Sequence, residues 1–204
     1  MKFLSIFISL MFVISTYSDV KNESLLIYGD SISAGYGMSK EKQWSVILQD
    51  IINKDNLKIN VINSSVSGET TSGGLARISQ TIKSIKPDYL LLELGGNDAL
   101  RGYPPRQIAT NLVEIIKIAD SANTKVLLMQ IRIPPNYGSR YQKAFESIYS
   151  NIASETSATL IPFMLEEVAL NEELMLPDGI HPKASAQPLI ADYVYRQLKP
   201  LLIH

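Results

Sequence analysis

Leu25-Leu26-Ile27-Tyr28-Gly29-Asp30-Ser31-Ile32-Ser33-Ala34-Gly35-Tyr36-Gly37 is an apolar run that passes directly into a Gly- and Ser-rich stretch. The run has the length and composition of a buried strand, so the polar stretch falls where a strand ends and the chain turns toward a helix. Ser31 then stands at the carboxyl end of the first strand. In open α/β sheets ligands bind in the crevice outside those ends, which makes a hydroxyl held there well placed for chemistry. Taken alone, the stretch suits a phosphate cradle as well as a reactive hydroxyl.

Outward from this point, strands and helices alternate. Trp44, Ile47, Leu48, Ile51 and Ile52 follow the i, i+3, i+4, i+7, i+8 spacing of an amphipathic helix. Ile59–Ile62 reads as a second strand, Leu75, Ile78, Ile82 and Ile85 as a helical face closed by Pro87, and Tyr89–Leu94 as a third strand buried on both faces. Pro104 and Pro105 open the next helix, whose inner face is Ile108, Leu112, Ile115, Ile116 and Ala119. Val126–Ile131 is a fourth strand, Tyr141 to about Thr156 a helix, and Thr159–Ile161 a brief fifth strand. The last helix carries Ile190, Val194 and Leu198, with Pro188 in its first turn. Such alternation implies a parallel sheet with helices on both faces.

The start of the chain reads as a targeting segment. Lys2 precedes a 12-residue apolar stretch, Phe3 to Ile14, broken only by Ser5 and Ser9. A spanning helix needs about 20 apolar residues, so the stretch is too short for an anchor. Thr16 and Ser18 have the small-residue spacing that precedes a signal-peptidase cut. We therefore expect residues 1–18 to be a cleaved signal peptide, residues 19–204 to be a single domain, and the mature protein to be periplasmic or secreted. The chain has no cysteine, which excludes a thiolate nucleophile, a Cys-based metal site and a lipoprotein anchor. Its net charge of −1, from 19 basic and 20 acidic residues spread along the chain, offers no footprint for nucleic acid and no polybasic membrane patch.

Three further stretches bear on Ser31: Ser67-Gly68-Glu69-Thr70, Gly95-Gly96-Asn97-Asp98 and Asp178-Gly179-Ile180-His181-Pro182. With the Gly-Asp-Ser-Ile start they resemble, in order and spacing, the four blocks of the SGNH, or GDSL-type, hydrolase family. Ser31, Gly68, Asn97 and His181 stand at that family's four invariant letters. Gly95–Gly102 and Met129–Pro134 look like its periplasmic branch of multifunctional acyl-thioesterases, lysophospholipases and arylesterases. Ile32 departs from the Leu of the family's name, a volume-conserving change. The resemblance implies a flavodoxin-like three-layer α/β/α sandwich around a five-stranded parallel sheet.

It also implies roles. Serine is a poor nucleophile at neutral pH and needs a base beside it. His181 is the one imidazole inside the domain, since His204 is the terminal residue. Asp178, three residues earlier across a Gly-containing turn, is placed to reach Nδ1 and leave Nε2 facing Ser31. The backbone N–H groups of Ser31 and Gly68 and the Asn97 amide are the expected donors to an oxyanion. Leu100 and Tyr103, beside Asn97, are the expected acyl contacts. Asp30 is expected to bond local backbone, and Arg77, Arg101 and Arg132 to be solvated surface residues. No cofactor or metal is expected. The expected partner is a small acyl ester or thioester, and a monomer is expected. A carbohydrate O-deacetylase of the same superfamily is the second enzyme reading, and a non-catalytic flavin- or phosphate-binding protein of flavodoxin shape is the third.

Overall fold

The computed structural model describes residues 22–202. The expected signal peptide and His204 lie outside them. Within them run β1 (Glu23–Gly29), β2 (Ile59–Asn63), β3 (Tyr89–Glu93), β4 (Lys125–Met129) and β5 (Thr159–Ile161). They form one parallel sheet in the order β2-β1-β3-β4-β5. The helices are α1 (Ser31–Ala34), α2 (Trp44–Lys54), α3 (Thr71–Ile85), α4 (Gly96–Leu100), α5 (Pro105–Ser121), α6 (Ser139–Glu155) and α7 (Gln187–Leu202). The expected α/β sandwich with five parallel strands is therefore what the chain forms.

The central strands β1 and β3 are buried because their apolar runs leave them no polar face. Leu25 to Tyr28 and Leu90 to Leu92 are fully enclosed at the centre of the sheet. The helices pack in two groups, α2 against α7 and α3 against α5 with α6 beside it. Their buried stripes are the ones the spacing gives: Trp44, Leu48 and Ile52 on α2, Ile108, Leu112, Ile115, Ile116 and Ala119 on α5, and Ile190, Val194 and Leu198 on α7. Gln187 joins the first group to itself, its side-chain oxygen accepting from the Trp44 N–H at 3.0 Å.

Two differences from the expected elements shape the site. β4 stops at Met129 and not at Ile131, because its partner β5 is only three residues long and pairs with Leu127 to Met129 alone. Ile131 and Ile133 leave the sheet, still buried, just before Pro134 and Pro135. Between β5 and α7 the chain runs from residue 162 to 183 without a strand or α-helix. A connection of that length within a compact domain is uncommon and is usually functional.

Candidate active site

The strand order puts a crevice between the ends of β1 and β3, where successive strands depart in opposite directions along the sheet. Both ends carry site residues. β1 delivers Gly29-Asp30-Ser31, with Ser31 as the first residue of α1, and β3 delivers Gly95-Gly96-Asn97, with Asn97 in α4. Asp30 caps α1, its Oδ1 accepting from the Ile32 N–H at 3.0 Å. Its Oδ2 accepts from the Asn97 side-chain amide at 3.1 Å, so the two strand ends are tied across the crevice. Asp30 thus bonds local backbone, as expected, and Asn97 besides. α4 is fixed in turn by Asp98, whose buried carboxylate accepts from the Thr71 N–H at 2.8 Å and from the Thr71 hydroxyl at 2.6 Å.

The third part arrives on the long connection. Residues 174–183 fold back on themselves: Leu176 N–H donates to His181 O at 2.7 Å and Lys183 N–H to Leu174 O at 2.7 Å. Gly179, at φ +66°, makes the reversal possible without steric cost. Asp178 works at both oxygens. Oδ1 accepts from the Ile180 and His181 N–H groups at 2.9 and 3.0 Å, which holds the turn, and Oδ2 lies 2.7 Å from His181 Nδ1. His181 Nε2 lies 2.8 Å from Ser31 Oγ. With a neutral imidazole, Nδ1–H donates to Asp178 and Nε2 accepts from the serine hydroxyl.

The electrostatics follow from burial and donors. Desolvation acts upward on the Asp178 carboxyl, but the His181 N–H, the imidazole, the Ile180 N–H and the His181 charge outweigh it and bring it down to about 2. Asp30 goes the other way. Its burial, the largest influence, pushes its carboxyl up to about 6 against the opposing Ile32 and Asn97 hydrogen bonds. The Tyr36 ring packs on His181, its centroid 4.4 Å from that of the imidazole, a contact whose only sign in the sequence is Tyr36's place in the Gly-rich stretch.

Ser31, Asn97, His181 and Leu100 line one cavity of about 520 Å³. Its walls are mostly apolar: Ile131, Ile133 and Pro134 from the segment after β4, and Phe163, Met164, Leu165, Met175 and Ile180 from the long connection. Motif reading misses these wall residues, although the length of the 162–183 connection is a usable signal. Gly68, Asp178 and Tyr103 are not in the lining. Asp178 stands behind His181. Gly68 sits at φ +79° on the exposed turn before α3, where a Cβ would meet nothing within 4 Å, and its carbonyl accepts from Arg101 at 3.4 Å. Its glycine therefore answers to the left-handed backbone, not to a lack of room for a side chain. Tyr103 is 38% exposed, and its carbonyl accepts from the Tyr141 hydroxyl.

The three arginines are more engaged than expected. Arg77 Nε donates to Glu69 at 2.5 Å and its guanidinium lies 3.9 Å from the centre of the Tyr28 ring, so the residue next to Gly68 is held by a half-buried cation. Arg132 pairs with Glu166 at 2.9 Å. Among the described residues no group of three or more His, Asp or Glu side chains is placed to hold a metal ion.

Comparison with known proteins shows what the chain as a whole is similar to. Residues 27–187 match the model of the GDSL-like lipase/acylhydrolase family. The chain is 46% identical over 195 residues to thioesterase 1/protease 1/lysophospholipase L1 of Escherichia coli (strain K12), covering 96% of this chain and 92% of that protein. It is 46% identical over 189 residues to an arylesterase of Vibrio mimicus, covering 93% and 94%. Among solved structures, the psychrotrophic esterase EstA of Pseudoalteromonas sp., inhibited by monoethylphosphonate, superposes with a TM-score of 0.86 at 42% identity, covering 88% of this chain and 98% of that one.

Proposed function

Because the chain belongs to the GDSL-like lipase/acylhydrolase family, we propose that it is a serine hydrolase that cleaves carboxylic ester and thioester bonds of acyl substrates through an acyl-enzyme on Ser31. The observation that carries this reading is the unbroken line Asp178 Oδ2, His181 Nδ1, His181 Nε2, Ser31 Oγ at 2.7 and 2.8 Å. His181 takes the hydroxyl proton as Oγ attacks the carbonyl carbon, and Asp178 holds the tautomer and stabilises the imidazolium. The developing oxyanion is received by the Ser31 and Gly68 N–H groups and the Asn97 amide. The imidazolium then protonates the leaving alkoxide or thiolate. Water, deprotonated by the same imidazole, hydrolyses the acyl-enzyme and restores Ser31. No step calls for a cofactor.

The apolar walls support medium to long acyl chains, with Leu100 among the residues that line the cavity and Tyr103 outside the lining. Each buried CH₂ contributes about 0.8 kcal/mol, so kcat/KM should climb over several carbons before levelling. The test is a graded series of p-nitrophenyl esters and acyl-CoA thioesters, with a fluorophosphonate probe, on wild type and Ser31→Ala. Turnover and labelling should vanish together in the variant. Labelling that survives Ser31→Ala overturns the nucleophile, and a steady fall in rate from acetyl upward favours the deacetylase.

We also read residues 1–18 as an export signal, supported by Lys2, the apolar stretch and the small residues at 16 and 18. No helix among the described residues is long and apolar enough to cross a membrane. Mass spectrometry of protein from the outer compartment should show a chain beginning near Asp19. A soluble cytoplasmic product with Met1 intact contradicts that.

A further inference from the structure

Glu93 has no part in acyl transfer, yet it is built into the floor of the site. It is the last residue of β3 and the register partner of Gly29. Its carboxyl fills the space that a side chain at Gly29 would need, since a Cβ there would collide with Glu93 Oε2. That oxygen accepts from the Asp30 N–H at 3.3 Å and from the Ser33 hydroxyl at 2.7 Å. One carboxyl therefore grips the chain on both sides of Ser31. Asp30, held at its backbone by Glu93, holds Asn97 with its side chain. The nucleophile's turn is thus held by one buried group, which also sets the backbone of Asp30, the acceptor of the Asn97 amide.

The surroundings of that group decide its protonation. Asp30 faces it from the turn after β1 and Tyr149 from α6, while Asp98 of α4 and His181 of the long connection lie on the far side, acting on Asp30. Among the described residues no ion pair joins Glu93 or Asp30 to a lysine or arginine. Charging two buried neighbouring carboxyls together with no cation paired to either is costly, so one keeps its proton at neutral pH. Donors reach both oxygens of Asp30 but only Oε2 of Glu93, which leaves Oε1 of Glu93 to carry the proton. We propose that Glu93 is a positioning residue that works as a neutral carboxylic acid: it pins Asp30 and Ser33 around the nucleophile, leaves the single charge on Asp30 where Asn97 needs an acceptor, and on ionising repels the Asp30 carboxylate from that place. Its proton has a route out, because Glu93 borders the cavity. Burial holds its carboxyl well above the ordinary range, the Asp30 charge adds to this, and the Ser33 hydroxyl opposes it.

The inference rests on Ser31 being the nucleophile, and its test keeps the two apart. The pH dependence of kcat on a p-nitrophenyl ester is measured for wild type, Glu93→Gln and Ser33→Ala, with Ser31→Ala as the blank. Wild type should lose kcat on the alkaline side. Glu93→Gln, which cannot ionise, should start about three- to tenfold lower at neutral pH with KM little changed, and should lack the alkaline loss. Ser33→Ala removes a donor that favours the ionised form, so its alkaline loss should move to higher pH. An infrared difference spectrum between wild type and Glu93→Gln at neutral pH should contain the carbonyl band of a protonated carboxylic acid, and that band should persist in Ser31→Ala. An alkaline loss unchanged in Glu93→Gln, or the absence of the band, overturns the proposal. Should Glu93→Gln fail to fold, the Ser33→Ala profile decides alone, and an unmoved alkaline loss counts against the proposal. Turnover that survives in Ser31→Ala instead overturns the serine-hydrolase reading and leaves the infrared result to stand for Glu93 itself.

Discussion

Asp178 uses its two oxygens for different ends, and that division makes its role separable by mutation. Oδ1 closes the turn on the Ile180 and His181 N–H groups, while Oδ2 meets the imidazole. Asn at this position keeps an oxygen for the turn but presents an amide donor to Nδ1, which forces the wrong tautomer. Asp178→Asn should therefore retain native circular dichroism and lose on the order of 10⁴ in kcat. A loss of only a few-fold removes Asp178 from proton transfer and leaves it as a turn former. Asn97 is separable in another way, because the oxyanion needs its amide far more than the ground-state carbonyl does. Asn97→Ala should lower kcat roughly 10²–10³-fold with KM little changed, and a variant that raises KM alone would assign the residue to substrate binding. The four motif blocks were legible because each keeps its chemistry in a run of a few neighbouring residues. Arg77 and Tyr36 were not, since a single arginine or tyrosine carries no local sign of the ring or carboxylate it meets across the fold.

Elements were legible where a period had room to repeat. α2, α5 and α7 show their apolar faces over three or more turns, and the enclosed strands β1 and β3 show unbroken apolar runs. α1 and α4, of four and five residues, are too short for any period, so the chain around Ser31 and Asn97 reads from sequence as loop. α4 is held by a buried carboxylate, beside the bond of the Asn97 amide to Asp30 and of the Tyr137 hydroxyl to the Leu100 carbonyl. Asp98 is 1% exposed and accepts both donors of Thr71, and the Asn111 amide donates to the same Thr71 hydroxyl at 3.0 Å. Removing it strands a buried N–H and a buried hydroxyl at the start of α3. Asp98→Ala should cost about 2–3 kcal/mol in urea unfolding, and kcat should fall as well, because α4 also carries Asn97. Asp98→Ala with wild-type stability shows that the remaining contacts hold α4 without it. The cavity wall has no element of its own. Ile131, Phe163 and Met175 come from irregular backbone, and only the fold brings them together.

At the scale of the whole molecule the site has a thermodynamic cost, and pH exposes it. Burial raises Asp30 from 3.8 to about 6 and holds Glu93 well above 4.5, so the folded protein keeps protons that the unfolded chain releases. For such groups stability is fully present below the unfolded pKa and is lost as pH rises through the folded one. Asp178 has the opposite sign: its carboxyl is lowered to about 2, so its contribution is present above 3.8 and is lost as pH falls toward 2. The two trends meet near the ordinary carboxylate range, and stability should peak there, at about pH 4, and not at neutrality. The Asp30 part of the decline runs from the ordinary carboxylate range to about pH 6, and Glu93 extends it toward alkaline pH. Urea midpoints measured from pH 4 to 8 should fall through this range in wild type and fall less in Glu93→Gln, which has one buried acid fewer to ionise. A midpoint that rises steadily from pH 4 to 8 would mean that Asp30 and Glu93 are solvated or paired in the folded protein, and the cost assigned to the floor of the site would disappear with them.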